Sequence, residues 1–139
     1  MIIIPLFAIP AIKTHIGREF TEDELQLLIS NVPMYKHEEG MYNHQSLDLY
    51  LFNTFAEELK EIKNYCQHQL KQYLEDIEGA DTDIVNLRIT QSWLNNTGPQ
   101  EGHHAHHHPN SYLSGVLYIK CLSNDNIIFS NRMYGSYSS

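Results

Sequence analysis

Cysteines and basic residues are scarce in this chain. The two cysteines, Cys66 and Cys121, form no Cys-x-x-Cys pair, so the sequence predicts neither a disulfide framework nor a thiolate zinc site. Few cysteines without a pairing motif fit a reducing compartment, and we expect a cytoplasmic protein. The chain has nine Lys and Arg but 17 Asp and Glu, which gives a formal charge of −8. Because a phosphate-backbone binder needs a basic face, we do not expect a nucleic-acid partner.

Long hydrophobic runs are also missing. The most apolar stretch, 1–12, has no basic leader and is broken by Pro5 and Pro10, so it predicts neither a signal peptide nor a membrane span. We interpret it as an edge strand and expect no membrane partner. With 139 residues, 42% of them hydrophobic, the chain is expected to form one domain, 1–139, around a single core.

The first helix signal is a capping box. Thr21 and Glu24 have the required spacing, and Pro33 would end the helix that follows. The predicted buried stripe consists of four residues, Leu25, Leu28, Ile29 and Val32. After it, residues 34–53 show no clear period and are predicted to form a long loop.

The strongest helical pattern in the chain comes next. Thr54 and Glu57 form a second apparent capping box, and Gly79 is a plausible end of the helix. Apolar residues recur every three or four positions between them, at Phe55, Leu59, Ile62, Cys66, Leu70, Tyr73 and Ile77. The helical part of the chain is therefore predicted to cover about 20–79, with a solvated outer face.

Beyond residue 84 the pattern changes from helical spacing to alternation. Three strands are predicted, at 85–93, 112–119 and 127–129. Turn residues separate them, and the tail 135–139 is expected to be frayed. Helices followed by a sheet indicate an α+β fold, whose β part would cover about 84–130.

Five of the nine histidines lie within the six positions 103–108. Imidazole is the commonest metal ligand among side chains, and alternate residues of an extended chain share a face, so His104, His106 and His108 are candidate metal ligands. A solvated polar loop is the competing interpretation. Catalytic zinc and mononuclear iron need three protein ligands. The spacing does not decide among the remaining candidates, which are the carboxylates and His15, His37, His44 and His68.

The residues around the run have types that line ligand pockets. Trp93 and Tyr118, on the flanking predicted strands, would supply an apolar wall, although such aromatics are more often core residues. Ser114 precedes Gly115 inside an apolar strand, where glycine marks a bulge, a packing bend or a close approach by backbone or ligand. The predicted substrate or cofactor pocket consists of Trp93, Asn110, Ser114 and Tyr118.

These motifs together form a recognisable pattern. Gln91-Ser-Trp-Leu-Asn95, then Gly102, then His106-x-His-Pro109 and Ser114-Gly-Val-x-Tyr118 resemble a family of iron(II)/2-oxoglutarate-dependent oxygenases of marine bacteria and their phages. The resemblance implies a hydroxylase-type dioxygenase with Fe(II) as cofactor and 2-oxoglutarate as small-molecule co-substrate. It also implies N-terminal helices before a partial double-stranded β-helix, of jelly-roll or cupin type, with His106 as the first metal ligand.

The chain departs from the wider superfamily at two places. His108 stands where the superfamily has Asp or Glu, and no distal histidine or 2-oxoglutarate-binding arginine follows; Arg132 comes too early to be carried over. We therefore expect a form truncated at its C-terminus, whose exposed sheet edge is covered in a homo-oligomer.

Two alternatives to the oxygenase stay open at this point. One is a degenerate, non-catalytic domain that binds a metal such as zinc or nickel loosely, or that serves in assembly. The other is a zinc hydrolase, which needs a general base beside metal-bound water, with Glu101 as the nearest candidate.

Overall fold

The computed structural model describes residues 9–36, 43–131 and 135–138. Their elements are α1 (Glu22–Gln26), a π-helical turn (Leu27–Asn31), β1 (Met34–Lys36), β2 (His44–Ser46), α2 (Leu51–Thr54), α3 (Lys60–Asp76), β3 (Asn95–Asn96), β4 (Ile128–Asn131) and β5 (Gly135–Ser138). This mixture of helices and short strands is compatible with the predicted α+β class. The elements belong to two units. The helical unit contains the residues up to Pro33 with Ser46–Leu94, and the histidine unit contains Met34–Gln45 with the residues from Asn95 onwards.

The predicted capping box at the start of α1 is confirmed. Thr21 is the N-cap, and its hydroxyl accepts a hydrogen bond from the Glu24 N–H at 3.2 Å. In return the Glu24 carboxylate accepts from the Thr21 N–H at 2.8 Å and from the Arg18 guanidinium at 2.6 and 2.8 Å. Glu24 is buried, so these charged hydrogen bonds compensate its removal from water.

A π-helical turn follows α1 and changes which residues are buried. The Val32 N–H bonds to the Leu27 carbonyl at 3.1 Å, five residues back, so Leu27 and Val32 lie on one face. Both are buried, whereas Ile29 is 55% exposed. The predicted burial of Ile29 is therefore wrong, because the prediction assumed α-helical spacing through this turn. The helical segment ends at Asn31, shortly before Pro33, as predicted.

The predicted helix start at Thr54 is wrong. Thr54 is instead the last residue of α2, and α3 begins six residues later, after an N-cap, Leu59, without a side-chain hydrogen bond. The cause is Asp48, whose carboxylate accepts from the Tyr50 N–H at 2.6 Å and from the Thr54 hydroxyl. These bonds organise a helical turn ahead of the position that the sequence pattern suggested.

The helix predicted after Thr54 supplies much of the core of the helical unit. Ile77, which was also predicted to be buried, is 42% exposed because α3 ends at Asp76. Gly79 has φ +64°, and the Ala80 N–H bonds back to the Leu74 carbonyl at 2.9 Å, so the chain leaves the helix near the predicted glycine. The most buried apolar residues of this unit are Leu51, Leu59, Ile62 and Leu74.

The segment 85–93 is extended but is not a strand of a sheet. Its backbone is held by a helix side chain, since the Gln67 amide nitrogen donates to the Leu87 carbonyl and its oxygen accepts from the Ile89 N–H at 3.4 Å. One parallel bridge, between Tyr50 and Ser92, adds a backbone contact. In place of the predicted strand, the structure has a segment whose backbone is hydrogen-bonded to a glutamine side chain of α3.

In the histidine unit the strands differ from the prediction in several places. Strands β1, β2 and β3 form one sheet, with β2 antiparallel to β3, so the predicted loop 34–53 contains strands. Strand β4, close to the predicted 127–129, pairs antiparallel with β5 inside the tail that was expected to be frayed. The register pairs Ile128 with Ser138 and Phe129 with Tyr137, and the serine- and glycine-containing partner strand has no hydrophobic alternation that would predict it. Residues 112–119 form no strand.

Most of the apolar stretch 1–12 lies outside the described residues, as do His37 and Arg132. Within the described ranges, no helix has the length and apolar character needed to cross a membrane.

Candidate metal centre

The structure brings together two of the three predicted metal ligands. The Nε2 atoms of His106 and His108 lie 3.1 Å apart, and their ring centroids are separated by 5.0 Å. Two imidazole nitrogens bound to one ion at the usual distance of about 2.0–2.1 Å lie about 2.8–3.4 Å apart, for angles at the metal between about 90° and 110°. The separation of the two nitrogens therefore fits neighbouring ligands of one transition-metal ion.

The opposite nitrogen of each ring contacts an oxygen atom. His106 Nδ1 lies 2.8 Å from the His104 carbonyl oxygen, and His108 Nδ1 lies 2.8 Å from the Ser114 hydroxyl. Metal-binding histidines usually carry this kind of outer hydrogen bond, which fixes the orientation of the ring. The Nδ1 contacts thus orient both imidazoles so that their Nε2 atoms face each other.

Electrostatics favour the neutral form of His108. Its partial burial lowers the pKa, and the nearby imidazoles of His106 and His107 lower it further. A histidine binds a metal through an unprotonated nitrogen, so a lowered pKa keeps more of this ligand available at neutral pH.

His104, the third predicted ligand, contacts His106 through its backbone carbonyl. Its ring centroid lies 5.3 Å from that of His106, and the His103 ring meets His106 edge-on at 4.3 Å. Among the described residues, no three His, Cys, Asp or Glu side chains are arranged to hold a metal ion. The described part of the chain therefore supplies a pair of imidazoles and no third ligand.

The remaining candidate ligands are distributed over both units. His15 and His68 belong to the helical unit, and His15 accepts a hydrogen bond from the Gly17 N–H at 3.0 Å. His44 lies on β2 of the histidine unit. The structure singles out none of these three as a partner of His106 and His108.

The four predicted pocket residues are divided between the two units. Trp93 belongs to the helical unit, whereas the other three belong to the histidine unit. Asn110 has φ +64° in the turn after His108, and Ser114 contacts His108. Burial raises the pKa of the Tyr118 phenol, and the nearby Cys121 and Asp125 raise it further.

Gly115 shows none of the packing that its position suggested. A Cβ placed there has no heavy atom within 4 Å, so neither a packing bend nor a close backbone approach accounts for this glycine. Ser114 was predicted to line a pocket, whereas the structure places its hydroxyl 2.8 Å from Nδ1 of the candidate ligand His108. No spacing rule would have revealed that contact, because it spans six residues across an irregular turn.

Glu101 is poorly suited to the general-base role of a zinc hydrolase. Its carboxylate lies 2.7 Å from the Lys36 ammonium and accepts a hydrogen bond from the Gly98 N–H at 2.9 Å. The Lys36 bond, followed by the Gly98 bond, lowers the pKa of this carboxyl. A carboxylate held as an anion in this way is a weak proton acceptor. The ion pair with Lys36 thus connects Glu101 to β1 and gives Glu101 a structural role.

The segment that contains these histidines is similar to a known protein family. Residues 91–135 match the family model described as "Putative 2OG-Fe(II) oxygenase". The match covers 45 of the 139 residues and includes the histidine run, the turn to Ser114 and β4. No curated protein and no solved structure matches the chain. We call residues 91–135 the oxygenase-like segment.

The match supports the oxygenase interpretation of the sequence and implies Fe(II) together with 2-oxoglutarate as a small-molecule co-substrate. The donor atoms described above fit that metal in part. Mononuclear non-haem iron(II) binds imidazole and carboxylate ligands and leaves positions open for other molecules. His106 and His108 would supply two imidazole nitrogens at a suitable separation.

Proposed function

We propose that this protein is an iron(II)/2-oxoglutarate-dependent dioxygenase of the hydroxylase type, in which His106 and His108 bind the iron. The observation that carries the proposal is the 3.1 Å separation of their Nε2 atoms inside the oxygenase-like segment. When bound, Fe(II) and 2-oxoglutarate would supply the oxidising chemistry of the family, in which the co-substrate and dioxygen become succinate and carbon dioxide while a substrate C–H becomes C–OH.

The chain's own residues have two tasks in this proposal. The His104 carbonyl and the Ser114 hydroxyl hold the rings of His106 and His108, so the Nε2 atoms need little rearrangement to bind one ion. The second task is electrostatic. A neutral imidazole in place of the superfamily's carboxylate leaves one more positive charge on the centre, which favours an anionic co-substrate such as 2-oxoglutarate.

The proposal extends to the fold and to the cellular setting. The antiparallel pairs β2–β3 and β4–β5 are elements that a double-stranded β-helix would contain, and we propose that architecture for the histidine unit. Both cysteines are free thiols, which supports the expectation of a cytoplasmic location. Targeting of a fluorescent fusion outside the cytoplasm would contradict that location.

We also propose that the protein forms a homo-oligomer. Four large apolar side chains described in the oxygenase-like segment are more than 60% exposed, namely Tyr112, Val116, Leu122 and Ile128. Burying such side chains against a second copy removes apolar surface from water. Light scattering of the concentrated full chain should give a mass above the 16.2 kDa of one chain. A clean monomer at every concentration would contradict this part of the proposal.

The function is tested by iron-dependent formation of succinate from 2-oxoglutarate in air, using the untagged full chain. We expect turnover that requires added Fe(II). His106→Ala should reduce it at least about 100-fold, because removing a ligand costs more than the 10–100-fold of an outer-sphere change. His107→Ala, a matched change between the two ligands, should retain most of the turnover. Equal turnover in all three proteins, or none in any, would contradict the proposal.

A further inference from the structure

We propose that Ser114 is a positioning residue for His108, and that its hydroxyl allows this imidazole to change tautomer when a metal ion binds. The inference rests on the function proposed above, since it concerns how the two facing imidazoles become ligands of one ion. It assigns Ser114 to the support of a ligand rather than to the substrate pocket.

The proton positions in the metal-free pair follow from the hydrogen-bond partners. A carbonyl oxygen only accepts, so His106 Nδ1, 2.8 Å from the His104 carbonyl, carries a proton. In a neutral imidazole the other nitrogen, Nε2, then has a lone pair. The 3.1 Å contact between the two Nε2 atoms is a hydrogen bond only if His108 Nε2 carries the proton. His108 Nδ1 is then unprotonated and accepts from the Ser114 hydroxyl at 2.8 Å.

Metal binding requires the opposite tautomer at one of the two rings. Both Nε2 atoms must present lone pairs to the ion, and His106 already does so. Neutral His108 must carry its proton on Nδ1 instead, where that nitrogen becomes a donor towards Ser114 Oγ. The number of protons on the imidazole does not change, because solvent takes the proton from Nε2 and returns one to Nδ1.

A hydroxyl is suited to this exchange because it both donates and accepts. By rotating its O–H bond, Ser114 can donate to His108 Nδ1 in the metal-free state and accept from it in the metal-bound state. A carbonyl or carboxylate at the same place would accept only, and it would favour a single tautomer throughout. His106, whose tautomer does not change, has a carbonyl as its partner.

The local fold explains how Ser114 reaches His108. The chain turns at Pro109 and Asn110, where Asn110 takes the left-handed conformation with φ +64°. The Ser111 N–H bonds back to the His108 carbonyl at 3.3 Å and closes the turn. The reversal returns the chain to the His108 ring three residues later. Asn110, another predicted pocket residue, thus acts in this turn.

Residue-resolved NMR of histidine-labelled full chain tests the inference, with Zn²⁺ as a diamagnetic probe. At about pH 8, above the ordinary histidine pKa, metal-free protein should show a protonated Nδ1 on His106 and a protonated Nε2 on His108. Zinc should move the His108 proton to Nδ1. A His108 that already carries its proton on Nδ1 without zinc would overturn the proposed change of tautomer.

Variants of Ser114 test its role through zinc affinity, measured from the same His106 and His108 signals. We expect Ser114→Ala to weaken binding at this pair about 10-fold, and Ser114→Thr, which keeps the hydroxyl, to restore most of the loss. Ser111→Ala is the matched control in the same turn and should bind as the unaltered chain does. An unchanged thermal unfolding midpoint for Ser114→Ala would show that the loss is local.

The outcomes separate this inference from the proposed function. If zinc binds at His106 and His108 with equal affinity in the unaltered chain and in Ser114→Ala, the role of Ser114 is overturned and the proposed metal pair survives. If the unaltered chain shows no zinc-induced change at these two residues, both proposals are overturned. Loss in Ser114→Ala with rescue by Ser114→Thr supports both.

Discussion

His106 and His108 contact oxygen atoms through Nδ1 and each other through Nε2. These contacts give the two residues a defined orientation on a segment that is not part of a β-strand. Two hydrogen bonds of about 2.8 Å achieve this orientation. We infer that side-chain and backbone oxygens prepare this pair for a metal ion, rather than a regular ladder of strands.

Glu24 is the residue whose ionisation should matter most for the helical unit. The Arg18 guanidinium holds the pKa of its carboxyl below the usual range, and the Thr21 N–H lowers it further. A folded-state pKa below the unfolded value means that the ionised carboxylate stabilises the fold above the unfolded pKa. That contribution is lost as the pH falls through the folded-state pKa.

The variant Glu24→Gln tests this linkage. Glutamine still forms the capping box with Thr21 but carries no charge for Arg18. We expect a loss in the free energy of unfolding of the order of 1 kcal/mol at pH 7, measured by urea denaturation, and a smaller difference as the pH drops below about 4. Glu22→Gln, in the same first turn, is the control. A difference that does not change with pH would contradict the assignment.

Helix α3 is the element that organises the helical unit. It buries Ile62, Tyr73 and Leu74 on one side, and Gln67 pairs with the backbone of 87–89. An amide side chain offers one donor and one acceptor, which is the pair that a neighbouring strand would present to an extended chain. This explains how the segment after residue 84 stays extended without joining a sheet.

The packing of α3 predicts a strong contrast between two isoleucines. Ile62 is 2% exposed and Ile84 is 81% exposed. Ile62→Ala should lower the free energy of unfolding by about 2–5 kcal/mol, because it leaves a cavity in the core. Ile84→Ala should change it by less than about 0.5 kcal/mol. Chemical denaturation of both variants checks the contrast, and equal losses would show that α3 is packed differently.

Elements with strong local signals could be predicted from the sequence, and elements that depend on distant partners could not. The capping box at Thr21 and the helix end near Gly79 rely on neighbouring residues, and both were found. The late start of α3 depends on Asp48, and the extended 85–93 depends on Gln67. The apparent box at Thr54 had the right spacing but a different hydrogen-bond partner.

The candidate site shows the same division. Alternation along an extended chain suggested that His106 and His108 share a face, and the structure places their rings side by side. The same reasoning included His104, but it did not predict that the His104 carbonyl contacts His106 Nδ1. The contact between Ser114 and His108 depends on the turn at Asn110. A period-two pattern contains no information about such a turn.

The whole molecule consists of two units built from interleaved segments of the chain. The histidine run and β1–β5 belong to one unit apart from Ser46, and the helices of the described residues belong to the other. The oxygenase-like segment begins at residue 91, at the end of the helical unit, and continues through most of the histidine unit. The predicted order of helices first and sheet second is thus modified by β1 and β2, which precede α2 and α3.

The central claim is that His106 and His108 together bind Fe(II). Anaerobic equilibrium dialysis of the untagged full chain against Fe(II), followed by metal analysis, tests it most directly. We predict saturable binding of one ion per chain that is lost in His106→Ala and in His108→Ala, because each removes one of two converging nitrogens. His107→Ala should still bind one ion. Equal binding by all three variants, or no saturable binding by the unaltered chain, would contradict the claim.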